Sequence, residues 1–187
     1  MKRRIAIIAL LMLIAAVTEY SMGRKPWGIS GTPGLWSRDI WSSHNSQFVF
    51  DPYTFTHISH GVLFYAILSV AGKRLPVGAR LVAAVALESG WEILENSNLI
   101  IERYRAQTIS LNYYGDSILN SMADIVACVF GFTLASRLPK RVTIIGVVLF
   151  EIVLALSIRD NLALNIIMLL NPSPTIRLWQ LMGSPPS

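Results

Sequence analysis

Long apolar runs separated by short polar breaks dominate the chain: 5–17, 54–71, 79–96, 116–135, 142–158 and 161–170. About 20 mostly apolar residues cross a bilayer core, so the first five runs predict transmembrane helices, the first extended to about residue 22. At 1.5 Å per residue that first helix, 5–22, spans ~27 Å, enough for a thin or locally adjusted bilayer. Lys2, Arg3 and Arg4 before an apolar stretch also have the shape of a signal peptide, but no small-x-small cleavage site follows at Thr18-Glu-Tyr-Ser21. The segment reads as an uncleaved helix. Asp51-Pro52 marks the start of the second helix, the turn 72–78 precedes the third, and the fourth stops before Leu138-Pro139. The sixth run is too short to span and ends at Asn171-Pro172. It reads as a re-entrant arm, an interfacial helix or the end of a kinked fifth helix. The expected fold class is therefore all-α: a multi-pass membrane helix bundle of about five transmembrane helices plus a short re-entrant or interfacial apolar segment, in one domain over 1–187.

Composition agrees with the pattern. The chain is 53% hydrophobic and 14% charged, with a mean hydropathy of +0.51, which belongs to the membrane class. The net charge of +5 does not point to nucleic acid, because the basic residues form no patch. Instead Lys2–Arg4, Lys73, Arg74 and Arg80, and Arg137, Lys140 and Arg141 flank alternate ends of the apolar runs. That is the positive-inside arrangement. It predicts a cytoplasmic N-terminus, outward-facing loops at 23–53 and 97–115 and an outward C-terminal tail. The loop 23–53 is rich in turn formers and interfacial aromatics (Pro26, Gly28, Trp27, Trp36, Trp41), and loops of that length are often functional lids. Cys128 is the single cysteine; inside an apolar helix it reads as a small buried residue, so no disulfide framework or thiolate metal knuckle exists.

The informative departures are ionisable residues inside the apolar runs. Such groups cost roughly 2.5–3.5 kcal/mol apiece near a bilayer centre unless they pair, bind something or line a wet cavity. Counted at 1.5 Å per residue from the basic ends, His60, Glu92 and Asp124 rise ~18–20 Å and Glu151 ~15 Å, nearly one level on four helices. Spacing within each helix agrees. His57 and His60 are i, i+3; Glu88, Glu92 and Glu95 are i, i+4, i+7; Asp116, Asn120 and Asp124 are i, i+4, i+8. Each set shares one helical face, which a bundle turns inward.

Four chemistries use such a set. His57, His60, Glu92 and Asp124 are candidate ligands for a divalent metal such as Zn, Mn or Fe, held as bundle cores hold metals. His60, Glu92 and Asp124 are candidate acid–base groups for metal-free catalysis, with Asn120 and Glu88 as supporting binding residues. A proton or ion path is the third reading. The fourth is interhelical glue in a structural or partner-binding protein, with His pairing Glu and Arg103 or Arg159 pairing Asp. Taken singly, His57 reads as interfacial rather than as a ligand, Glu95 and Asp116 as helix-end residues in water, and Asp116 also as an N-terminal cap. Arg103, Arg105 and Arg159 on the outer side are candidates to bind an anionic head group, whereas Arg38 reads as solvated surface. The implied partners are the lipid bilayer and a lipid or envelope substrate. Oligomeric state is not encoded in any of these features.

Four stretches carry a family resemblance: His44-Asn-Ser-Gln-Phe with Phe55-Thr-His-Ile-Ser-His-Gly61; Trp91-Glu-Ile-Leu-Glu-Asn96 with Ile101-Glu-Arg-Tyr-Arg105; Tyr113-Tyr-Gly-Asp-Ser117 with Asn120 and Asp124; and Ile158-Arg-Asp-Asn-Leu-Ala-Leu-Asn165. Over nearly the whole chain it resembles an uncharacterised family of small multi-pass bacterial inner-membrane proteins with a domain of unknown function. The resemblance implies location and topology but no activity. More loosely, the His…Gly helix, the Trp-Glu-x-x-Glu helix and the Asp-bearing helix are similar to the VanZ-like group of membrane proteins.

Overall fold

The computed structural model describes residues 2–28, 31 and 33–184, which form eight helices. They are α1 (Lys2–Ser21), α2 (Thr54–Ala71), α3 (Val77–Glu95), α4 (Asn98–Gln107), α5 (Ile118–Arg137), α6 (Lys140–Ser157), α7 (Leu162–Leu170) and α8 (Pro174–Leu181). Residues 29, 30 and 32 of the expected loop, and the tail beyond 184, lie outside the described residues. Among the described residues there is no strand, only an isolated bridge between Trp36 and Phe50 in the segment before α2.

Three helices, α1, α2 and α5, are each long and apolar enough to cross a membrane. The pair α6 and α7, bent by 73°, makes a fourth if it is one broken span. The third expected span, now α3, does not qualify on composition. Arg80, Glu88, Glu92 and Glu95 all fall within it, and the polar stripe that makes it interesting is what lowers its hydropathy.

Two expected loops contain helices. Within 97–115, α4 starts where the Ser97 side chain accepts from Ile100 N, and it buries Ile101 and Tyr104 on one face. In the expected tail, α8 starts where Ser173 accepts from Ile176 N, with Pro174 in the first turn, where its missing N–H costs nothing. The short run 161–170 becomes a separate helix, α7, started by the Asn161 side chain accepting from Leu164 N. At the head of α5 the cap is Ser117, whose side chain accepts from Asn120 N. Asp116 therefore stands outside the helix and is not its cap.

The closest pairing in the fold is α2 against α5, and glycine permits it. A Cβ at Gly61 would collide with the Cys128 carbonyl, and one at Gly131 with the Ile58 carbonyl. Small residues let helix backbones approach in this way where lipid supplies no hydrophobic drive between helices. The two helices run parallel in a fixed register. His57 meets Asp124, Gly61 meets Cys128, and Tyr65 stacks edge-on to Phe132, each contact four residues after the last on both helices.

The helix α1 packs on α3 through a cluster centred on Ala15, Val85 and Ile125. A Cβ at Gly78 would strike the Arg4 guanidinium, so α1 and α3 begin at the same end. At the other end, Ile118 N and Leu119 N donate to the carbonyls of Lys25 and Pro26, and Ser117 N to that of Ser46. The segments after α1, before α2 and before α5 are thus tied together over one mouth of the bundle.

Candidate functional site

The parallel α2–α5 register and the antiparallel α3 bring three polar stripes to one place. His57 is the hub. Its Nδ1 donates to Glu88 Oε1 at 2.7 Å, lies 3.3 Å from Glu92 Oε1, and its Nε2 lies 3.8 Å from Asp124 Oδ2. His60, one turn along, places Nδ1 at 3.1 Å from both Glu88 oxygens. The reading of His57 as interfacial is corrected: it is buried, and His60 is the more open of the two. Glu88, expected as a supporting residue, is the carboxylate that both imidazoles share.

Burial makes the arrangement demanding. Glu88 and Glu92 are fully inaccessible and Asp124 and Asn120 nearly so. One Nδ1–H cannot serve two carboxylates, and of the two contacts the one to Glu88, 2.7 against 3.3 Å, is the shorter. Both Glu92 oxygens, Asp124 Oδ1 and Glu95 Oε2 have no hydrogen-bond partner among the described residues. Among these residues no lysine or arginine forms an ion pair with any of the four acids. A buried unpaired carboxylate is expensive enough that the cluster requires protons or a cation to balance it. Three donor atoms, one each from His57, His60 and Glu88, lie within 4.8 Å of one another, as do three from His57, Glu92 and Glu95. His and carboxylate donors of this kind suit Zn, Mn or Fe.

The remaining candidates divide. Asn120 is present at the site but donates its amide to Phe48 O at 2.9 Å. Glu151 is not at the site: its two oxygens accept from Leu162 N and Ala163 N, so it holds the start of α7. The three arginines do not converge on it either. Arg103 Nε donates to Leu169 O and ties α4 to α7. Arg105 lies over the Tyr114 ring, and Arg159 lies over Trp179 and donates to its carbonyl at 2.9 Å. Among the described residues no arginine pairs with Asp116 or Asp160, whose oxygens take other donors. Asp116 accepts from Asn96 and Tyr113; Asp160 accepts from Tyr53, Asn161 N, Asn165 and Gln180. Asp116 is buried, not a helix-end residue in water.

Above the histidines lies a cavity of about 600 Å³. Its polar end is formed by His57, His60, Glu95, Asp116, Asn120 and Asp124, and its other walls by apolar side chains of α2, α3 and α7. Several lining residues were not among the sequence's site candidates: Asp51, taken only as a helix start, Tyr53, Tyr104 and Tyr113. Only Tyr113, beside Asp116, had a local signal. Outside the helices the acids respond to their burial. Asp116 is pushed up from its ordinary 3.8 to about 6, mainly by desolvation, against the hydrogen bonds from Tyr113 and Asn96. Asp51 is also raised by desolvation, against the backbone N–H groups of Ser46 and Tyr53 that it accepts from.

A family model described as "Protein of unknown function (DUF2585)" matches residues 19–182. The chain is similar to a UPF0314 protein of Brucella anthropi, 47% identical over 174 residues, covering 93% of this chain and 88% of the relative. It is also similar to a UPF0314 protein of Paracoccus denitrificans, 49% identical over 171 residues, covering 91% and 89%. A third, from Rhizobium etli, is 49% identical over 176 residues, covering 94% and 90%. No solved structure matches the chain.

Proposed function

The chain belongs to the DUF2585 family of proteins of unknown function, and from its geometry we propose a multi-pass inner-membrane protein whose His–carboxylate cluster holds a divalent metal ion. The ion sits at the base of the cavity and meets a lipid or envelope substrate from the outer face. The N-terminus is cytoplasmic and the C-terminus periplasmic. The observation that carries this reading is the approach of His57 Nδ1 and His60 Nδ1 to the same Glu88 carboxylate, at 2.7 and 3.1 Å. Glu92 and Asp124 stand beside them with oxygens left free. Cluster and ion neutralise each other, which a set of bare acids cannot do alone. The orientation is supported by the start of α1, the α2–α3 turn and the α5–α6 turn, which carry basic residues at the end opposite the cavity mouth.

A second reading, interhelical glue, is favoured by one observation: Glu88 is already satisfied by two imidazoles without an ion. Metal analysis of the full chain, purified in detergent and equilibrated with Zn, Mn or Fe, separates the two. The metal reading expects one equivalent, lost in a His60→Ala protein that keeps its melting temperature within a few degrees. A wild-type protein that takes up none of the three metals overturns it in favour of glue.

A further inference from the structure

We propose that the occupant of the cavity is a membrane lipid with a neutral, hydroxyl-rich head group, such as a glycosyl diacylglycerol, which enters sideways between α3 and α7. The inference deepens the functional reading above by naming the substrate class of that site, and it rests on that reading only for the site's location.

The first observation is the shape of the opening. On α3, Ala86, Leu87, Gly90 and Leu94 line the cavity and are themselves exposed, Leu87 to 50%. Across the gap, Leu63 of α2 and Ile166 of α7 line it and are exposed to 43% and 44%. A cavity whose apolar rim is open on the flank of a membrane bundle opens toward acyl chains, not toward water. Gly90 is the gap in that rim: a Cβ there would meet nothing within 4 Å.

The second observation is the hydrogen-bonding character of the polar end. Three of its donors are already used. Tyr53 donates to Asp160, Tyr113 to Asp116, and the Asn120 amide to Phe48 O. The buried wall atoms without a partner among the described residues are acceptors: Asn45 Oδ1, Glu95 Oε2 and Asp124 Oδ1, with both Glu92 oxygens behind them. Among the described residues no lysine or arginine lines the cavity. A phosphate head group adds only acceptors to that wall, whereas hydroxyls supply the missing donors. With the cluster balanced by protons or an ion, a neutral polyol leaves water more cheaply than an ammonium does, which favours it over an amine-bearing head in so dry a place.

The test uses the full chain in nanodiscs containing equal parts monoglucosyl diacylglycerol, phosphatidylglycerol and phosphatidylethanolamine, with lipid retained after extraction into mild detergent quantified by mass spectrometry. The expected result is an enrichment of the glucolipid of about tenfold over phosphatidylglycerol, a difference of about 1.4 kcal/mol. Gly90→Leu fills the rim without touching the fold and suits a helix better than glycine. It should abolish the enrichment while metal content and melting temperature stay as in the wild type, and Gly90→Ala should keep it. Equal retention of the three lipids, a preference for either phospholipid, or undiminished enrichment in Gly90→Leu overturns the proposal. A protein that binds no metal yet keeps the Gly90-dependent enrichment sinks the metal reading and leaves this one standing. A protein that binds metal without lipid selectivity does the reverse.

Discussion

His57 holds the acidic cluster together, because it alone touches Glu88, Glu92 and Asp124. Removing one partner from a buried charged set costs about 3–5 kcal/mol, since the charge left behind stays buried. His57→Ala should accordingly lower the thermal midpoint of the detergent-solubilised protein sharply, and His60→Ala much less, since His57 still holds Glu88. Glu92 is the opposite case. It accepts no hydrogen bond and is fully buried, with only the 3.3 Å approach of His57 to offset its desolvation, so its burial costs more than that contact returns. Glu92→Leu should leave the midpoint unchanged or higher while lowering metal uptake, the trade between stability and function expected of a strained site. A Glu92→Leu protein that unfolds would make Glu92 structural. Asp116 gives a pH signature. Burial raises it from 3.8 to about 6, so the folded protein binds this proton more tightly than the unfolded chain does. Its contribution is complete below about pH 4 and is lost as the pH rises through about 6. Asp116→Asn mimics the protonated form and should remove that part of the decline; midpoints measured from pH 4 to 7 that fall equally in both proteins would refute it.

At the scale of elements, the crossing of α2 and α5 sets the site, because the register that puts Gly61 on the Cys128 carbonyl puts His57 on Asp124 one turn earlier. Backbone cannot move aside as a flexible side chain does. Gly61→Val should therefore force the helices apart, costing about 1–3 kcal/mol from overpacking alone, and should weaken metal uptake as His57 and Asp124 separate. Gly146→Ala, at a position where a Cβ meets nothing within 4 Å, is the control and should be neutral or gain about 0.5–1 kcal/mol. Unfolding curves in one detergent compare the two. The stripes on α2, α3 and α5 were legible in the sequence because they obey the helical repeat, as in Glu88 and Glu92 or Asn120 and Asp124. Two kinds of feature were not. Short helices such as α4 and α8 bury one or two residues each, too few to leave a period. The partners of long side chains depend on tertiary placement: Arg103 ends on Leu169 O, Arg159 on Trp179 and Glu151 on the start of α7, and nothing local distinguishes these from residues aimed at a ligand. His57 failed for a related reason. Position near a helix start suggests an interface, but here α3 and α5 set Glu88, Glu92 and Asp124 around the ring, which is buried.

The whole molecule has two unlike ends, and their difference decides how it sits in the membrane. At one, Arg4 lies against Gly78, and Lys73, Arg74, Lys140 and Arg141 occupy the tight α2–α3 and α5–α6 turns. The other also carries basic residues, but several are engaged in the fold: Arg24 with Tyr114 O, Arg103 with Leu169 O, Arg105 with the Tyr114 ring and Arg159 with Trp179. Free charges in short loops next to spanning helices are the ones that orient a membrane protein, so the turn-bearing end should be cytoplasmic. The cavity mouth, tied down by the segments before α2 and α5, should then face the periplasm. Reporter fusions after Pro76 and after Lys140 are expected to read cytoplasmic, and one after Arg105 periplasmic. The Pro76 fusion is the most exposing, because it tests whether α3 crosses at all. If α3 were a surface helix, fusions on either side of it, after Pro76 and after Arg105, would read alike. The stripe of Glu88 and Glu92 would then lie against head groups, and the intramembrane site would lose one of its three walls. Opposite readings at those two positions require α3 to span despite its acids, which a helix tolerates when its polar face is packed against α2 and α5 as here.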